Sequence, residues 1–203
     1  ESTFESEGLE LLFPAYAFYD NINFKYEKRS KTANTFSALH HIGDENIPIH
    51  KYLTLSIRPE NVPAELYEKL LLARMNGDDN RTMSASGGNY QDGWVKGRIR
   101  EFGVYAVAVD TISPIVKSLN VRAHQTVSPG KKLLFRVKDE FSGIKSYRGT
   151  INEEWVLMQY DAKNDVLYYI VDDRTSKGNN QFRLEVYDEK DNLGVFEAEF
   201  RLE

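Results

Sequence analysis

Phe102-Gly103-Val104-Tyr105-Ala106-Val107-Ala108-Val109-Asp110-Thr111-Ile112-Ser113-Pro114 is the stretch from which the rest of the chain can be parsed. Tyr105, Val107 and Val109 alternate with the small Ala106 and Ala108, the period of a strand with one face on a core. Phe102-Gly103 ahead of it reads as a turn, with Tyr105 placed as a corner tyrosine that bonds back to nearby backbone. Pro114 cannot donate to a ladder and pushes Ser113 towards an extended conformation, so the sheet ends here. A domain boundary therefore falls at this point, predicting units 1–112 and 113–203. The connection is short and poor in glycine, which predicts a restricted relative orientation. A chain of 203 residues suffices for two units that each bury a core without staples.

Upstream, Ile22, Phe24 and Tyr26 alternate with polar neighbours, as do Leu53, Leu55 and Ile57. Turn clusters separate such runs: Gly43-Asp44-Glu45-Asn46, Asn76-Gly77-Asp78-Asp79-Asn80 and Ser86-Gly87-Gly88-Asn89. Pro63 to Leu70 suggests one or two helical turns, and Leu70-Leu71-Leu72-Ala73 equally suits a buried strand. Downstream, about seven short strands are expected: 115–121, 133–137, 144–151, 155–160, 166–171, 182–186 and 196–200. That rhythm is the one an immunoglobulin-like sandwich needs, here without paired cysteines. Trp155, opening a central strand, is expected to be the core tryptophan. The fold class is all-β, with two tandem β-sandwich domains, the second immunoglobulin-like.

Composition narrows the function. Aromatics reach 12%, with 12 Tyr and 11 Phe against 2 Trp, which favours pleated, half-buried surfaces. Net charge is −5, from 31 acids and 26 bases, so a nucleic-acid partner is not expected. Cysteine is absent, which removes disulfides, thiolate nucleophiles and Cys-based zinc sites. No apolar run is long enough to span a membrane. The polar, acidic start Glu1-Ser2-Thr3-Phe4-Glu5-Ser6-Glu7 is no signal peptide and reads as a cut inside a longer chain or a processed end.

His40, His41 and His50 with Asp44 form the sharpest chemical cluster, and His40 to Asp44 satisfies H-x-x-x-D. On a strand, however, His40 and His41 point to opposite faces, and His124 stands alone. The default for all four is an ordinary strand or loop histidine, so no metal ligand, catalytic residue or cofactor is assigned. Asp139/Glu140, Asp172/Asp173 and Asp188/Asp191 sit at loop ends but lack EF-hand spacing, and turn chemistry explains them better. Ser84-Ala85-Ser86-Gly87-Gly88 is Gly-rich without a following helix, so it is expected to be a loop. Tyr16, Phe18, Tyr19, Tyr90, Trp94, Tyr147, Trp155, Tyr168 and Tyr169 are candidates for stacking on sugars, against core or rim packing as the default.

Several phrases carry a family resemblance. They include Phe13-Pro14 through Asn21, Ile47 through Leu55, Gly93-Trp94-Val95, Phe102 through Asp110 with Pro114, Asp139 through Asn152, Trp155-Val156-Leu157 and Tyr160 through Lys163. Together they resemble the region that follows the catalytic domain in some Gram-negative lysostaphin-like zinc metallopeptidases. The resemblance implies an exported parent enzyme that cuts peptidoglycan cross-links with zinc held by H-x-x-x-D and H-x-H. Neither His50-Lys51-Tyr52 nor His124-Gln125-Thr126 is H-x-H, so no catalytic residue carries over. The chain is then expected to be the non-catalytic accessory region, extracytoplasmic, with peptidoglycan or the upstream catalytic domain as partner. A cell-surface glycan-binding or adhesion module without a hydrolase is the alternative, and a standalone metalloenzyme using His40, Asp44 and His50 the second.

Overall fold

Tyr105 and Val107 point one way from the strand Gly103–Val109, into the main core, while Val104 and Ala106 point the other way into a smaller apolar cluster. That alternation, seen in a computed structural model describing residues 1–77, 82–172 and 175–203, organises the first of two compact units, Glu1–Thr111 and Ile112–Glu203. Asp78, Asp79 and Asn80 of one expected turn, and Asp173 of one acidic pair, lie outside the described residues.

The first unit runs β1 (Ser2–Ser6), β2 (Leu9–Phe13), β3 (Tyr26–Arg29), β4 (Leu39–Ile42), β5 (Leu53–Ile57), β6 (Leu70–Asn76), β7 (Thr82–Gly87), β8 (Asn89–Gln91), β9 (Trp94–Ile99) and β10 (Gly103–Val109). Its two antiparallel sheets have the orders β1-β2-β5-β9-β8 and β3-β4-β10-β6-β7. Leu9, Leu11, Leu53, Leu55, Ile57, Val95 and Ile99 from one sheet meet Ile42, Leu70, Leu72, Tyr105 and Val107 from the other. Each fully buried aliphatic side chain contributes roughly 1.5–3 kcal/mol, so this interlayer supplies most of the unit's stabilisation. The Tyr105 hydroxyl donates to the Glu101 carbonyl at 2.8 Å, the corner bond expected, and burial pushes its pKa up to about 12.

Two local expectations for this unit change and a third, the short helix, is met. Ile22 and Phe24 pack against the core without strand pairing, which begins only at Tyr26. The helical hint is a single 3-10 element, Ala64–Lys69, and the apolar run after it is strand β6. Ser84 to Gly87 is strand β7 rather than a loop. Gly88 follows as a corner between the two sheets: its φ is +92°, and a Cβ there would sit 2.8 Å from the Lys96 carbonyl oxygen. Only glycine lets the chain turn that closely past β9.

The second unit runs β11 (Ile115–Ser118), β12 (Gln125–Val127), β13 (Lys132–Lys138), β14 (Ile144–Ile151), β15 (Glu154–Val156), β16 (Gln159–Asp161), β17 (Val166–Ile170), β18 (Gly178–Asp188) and β19 (Leu193–Leu202). The sheets are β11-β13-β17-β16 and β12-β19-β18-β14-β15, with β12 parallel to β19 and the other pairs antiparallel. In chain order these are the A-B-E-D and C-F-G arrangements of an immunoglobulin-like sandwich, extended at both edges of the second sheet. Phe135 and Phe182 stack across the layers, centroids 4.8 Å apart and 6° from parallel.

Trp155 is not the core tryptophan; it is 54% exposed. It pairs with Thr150, which also faces Arg183 across the sheet's outer side, so the pleat turns the indole outward. The aromatic centre belongs to the phenylalanine pair instead. The run 155–160 is two strands, β15 and β16, in different sheets. Met158 lies in the switch between them and packs where Gly149 has no side chain. Short β12 and this split raise the strand number above the seven expected.

Candidate functional site

The structure does not bring the histidine–aspartate cluster together. His40 faces inward from β4, 1% exposed, with Nδ1 hydrogen-bonded to the Tyr26 hydroxyl at 2.9 Å. Burial, helped by the nearby Lys28 charge, lowers its pKa to about 4, so it is a neutral core histidine. His41 faces the opposite side, 4.0 Å from a Glu27 carboxylate oxygen. His50 bonds the Tyr19 hydroxyl at 2.9 Å. The Asp44 carboxylate accepts from the Asn46 backbone and side chain, both at 2.9 Å, which holds its pKa low and marks it as a turn residue. His124 pairs with Glu199 at 3.3 Å on the exposed surface of the second unit.

The acidic loop ends act locally. Asp139 accepts from the backbone of Phe141 and Gly143. Buried Asp188 accepts from the backbone of Lys190 and Asn192 and from the Asn192 amide. Glu140 pairs with Lys138, Asp191 with Lys145, and Asp172 accepts from the Tyr169 hydroxyl. Such bonds fix tight turns.

The aromatic candidates divide sharply. Phe18 belongs to the first core, stacked on Phe102, and Tyr169 is buried in the second. Tyr147 and Tyr160 have ring centroids 6.1 Å apart with planes tilted by 52°, and Tyr168 carries Lys132 over its ring. Tyr16 and Tyr19 are exposed beside Lys51 and His50. Tyr90 and Trp94 are different, because Tyr90 lines a cleft with residues that sequence reasoning passed over, and Trp94 carries one of those residues, Arg58, over its ring. Asp92 and Gly93 both have positive φ and turn β8 into β9 as a two-residue hairpin. Asp-Gly is the sequence signal for that turn. The hairpin places Tyr90 on Tyr67 of the 3-10 element, rings stacked at 4.2 Å and 23°. Trp94 leaves the other face, with the Arg58 guanidinium 4.6 Å over its indole. Arg58, Pro59, Asn61, Val62, Tyr67, Tyr90 and Gly93 line an open cleft of about 350 Å³.

A second cleft of about 350 Å³ lies under His41 and Arg74. Its cations are already engaged: Arg29 pairs with Glu27, and Arg74 with Glu45 and Glu101. The Tyr67–Tyr90 cleft has no such internal neutralisation of Arg58 among the described residues and is the better candidate.

No curated protein matches the chain. Similar solved structures include an endo-beta-1,4-mannanase from Thermotoga petrophila, at 8% identity and a TM-score of 0.40, over 46% of this chain and 20% of that one. Fibronectin(III)-like modules of Clostridium thermocellum CbhA match at 13% identity and a TM-score of 0.37, over 75% of this chain and 86% of theirs. A polysaccharide lyase matches at 9% identity and a TM-score of 0.31, over 99% of this chain and 31% of that one. The chain thus spans about a fifth of the mannanase and under a third of the lyase. Likenesses this loose carry no functional argument. The family comparison is firmer, since the Zu5-like domain matches residues 1–110, the whole run of paired strands β1 to β10. By that match, which covers more than half its length, the chain belongs to the Zu5-like domain family.

Proposed function

We propose that the chain is a non-catalytic accessory module that holds a larger enzyme on a glycan polymer through the cleft of its first unit. The observation that carries this reading is the open cleft lined by the half-buried Tyr67–Tyr90 stack and by Arg58, whose guanidinium reaches over the Trp94 indole. Flat rings accept the C–H face of a sugar, and a guanidinium beside them donates to its hydroxyls. The sequence resemblance supports a lysostaphin-like zinc peptidase as the enzyme and peptidoglycan as the first polymer to assay, with an extracytoplasmic location.

The test is co-sedimentation of the purified chain with peptidoglycan sacculi and with insoluble neutral polysaccharides, at low and physiological salt. Retention on at least one polymer is expected to survive salt. Trp94→Ala and Tyr90→Ala are each expected to weaken it by about tenfold, as loss of a central aromatic anchor does. Retention on none of the polymers overturns the reading.

A further inference from the structure

Strand β9 and the residue after it read Trp94-Val95-Lys96-Gly97-Arg98-Ile99-Arg100. Val95 and Ile99 are buried in the core, and Gly97 pairs with buried Leu55, so the pleat turns Trp94, Lys96, Arg98 and Arg100 to the outer face. On the neighbouring strand β5, Thr54 pairs with Arg98 and shares that face half-buried, while Ser56, opposite Lys96, is buried. Tyr52 and Arg58 flank β5 and close the two ends. Arg98 and Arg100 lie 4.5 and 5.5 Å from the Tyr52 ring centroid, and Arg58 lies 4.6 Å from that of Trp94. Cations at alternate positions repeat about every 7 Å, and the stripe runs about 20 Å from one aromatic end to the other.

None of Arg58, Lys96, Arg98 and Arg100 is paired with a carboxylate among the described residues. Elsewhere in the same unit Lys28, Arg29 and Arg74 all are. Arg100 instead donates to the backbone carbonyls of Ile49 and His50, and the other two arginines lie on rings. Rings and carbonyls orient a guanidinium without neutralising it. In a chain of net charge −5, four cations without an ion-pair partner among the described residues stand in one row, and the acids of that face, Glu5 and Glu10, stand on β1 and β2, on the far side of β5.

Resting on the glycan-binding reading above, we infer that this outer face binds a linear acidic polysaccharide that carries carboxylates on its sugar rings. The stripe takes the carboxylates, half-buried Thr54 faces the hydroxyls, and Trp94 with Arg58 over its indole holds one end. Charge complementarity selects the occupant, since carboxylates at intervals along a flat chain meet cations at intervals along a flat strand. A nucleic acid needs a broader positive field than a net acidic protein offers.

The experiment measures binding of the whole chain to polygalacturonate, to a neutral polysaccharide, to single-stranded DNA and to vesicles of anionic phospholipid, by titration at two salt concentrations. Polygalacturonate is expected to bind best and to weaken with salt. The combined Lys96→Gln, Arg98→Gln and Arg100→Gln variant is expected to lose about tenfold or more for polygalacturonate and little for the neutral polymer, as loss of charge-assisted bonds requires. Lys96→Gln alone, at a position that holds no ring or backbone, reports the charge effect if the triple variant fails to fold. Unchanged polygalacturonate binding by a folded variant overturns the inference, and so does tighter binding of DNA or vesicles. Binding of the neutral polymer without preference for polygalacturonate overturns this inference alone. Binding of no glycan overturns the glycan reading with it.

Discussion

His40 enters the first core as a neutral base, and its titration has a definite sign. Its folded pKa of about 4 lies below the ordinary 6.5. Above pH 6.5 both states are neutral and stability is full. Between 6.5 and 4 the unfolded chain takes up a proton that the folded chain refuses, so stability falls with falling pH, by at most about 1.4 kcal/mol per unit. Urea unfolding across that window is expected to show the loss, with His40→Gln losing less over the same range; parallel curves for the two proteins would contradict it. Glu153 presents the opposite case, a residue in a costly conformation. It follows Asn152 in the two-residue turn between β14 and β15, at φ +70°. Type I′ turns want glycine there, so Glu153→Gly is expected to stabilise by about 0.5–1 kcal/mol and raise the melting temperature. An unchanged or lower melting temperature would show that Glu153 makes a compensating contact.

Strand β8 is three residues long and has little packing of its own, yet it positions Tyr90. It is held by the Asp92-Gly93 hairpin on one side and by the Gly88 corner on the other. Gly88→Ala would drive a methyl group into the Lys96 carbonyl and hold a non-glycine residue at φ +92°. A loss of about 2 kcal/mol or more is expected in denaturant unfolding. The Tyr67–Tyr90 stack is expected to loosen with it, read as a change in tyrosine near-ultraviolet circular dichroism. A variant as stable as the parent would mean that the corner relaxes at no cost.

Each unit closes its own apolar cluster, one built from Leu9 through Val107 and the other from Val121 through Leu202. Residues 1–111 and 112–203 expressed separately are therefore expected to fold, each with one cooperative melting transition. An unfolded first unit would show that its core needs the second. The sequence by itself determined the all-β class, because a period of two survives in any context that buries one face: Leu53, Leu55 and Ile57, and Leu133, Phe135 and Val137, are all buried as read. It also determined that His40 and His41 part company, since adjacent strand residues leave opposite faces. Tertiary structure decided where an aromatic ring ends up. Trp155 and Phe135 are equally apolar in the sequence, and only pairing register sends one outward and the other to the centre. It also decided the candidate site, whose parts come from residues 52–58, 67 and 90–100. Local pattern fixes the face of each strand, but which strands lie side by side is settled by long-range packing that no short window of sequence contains.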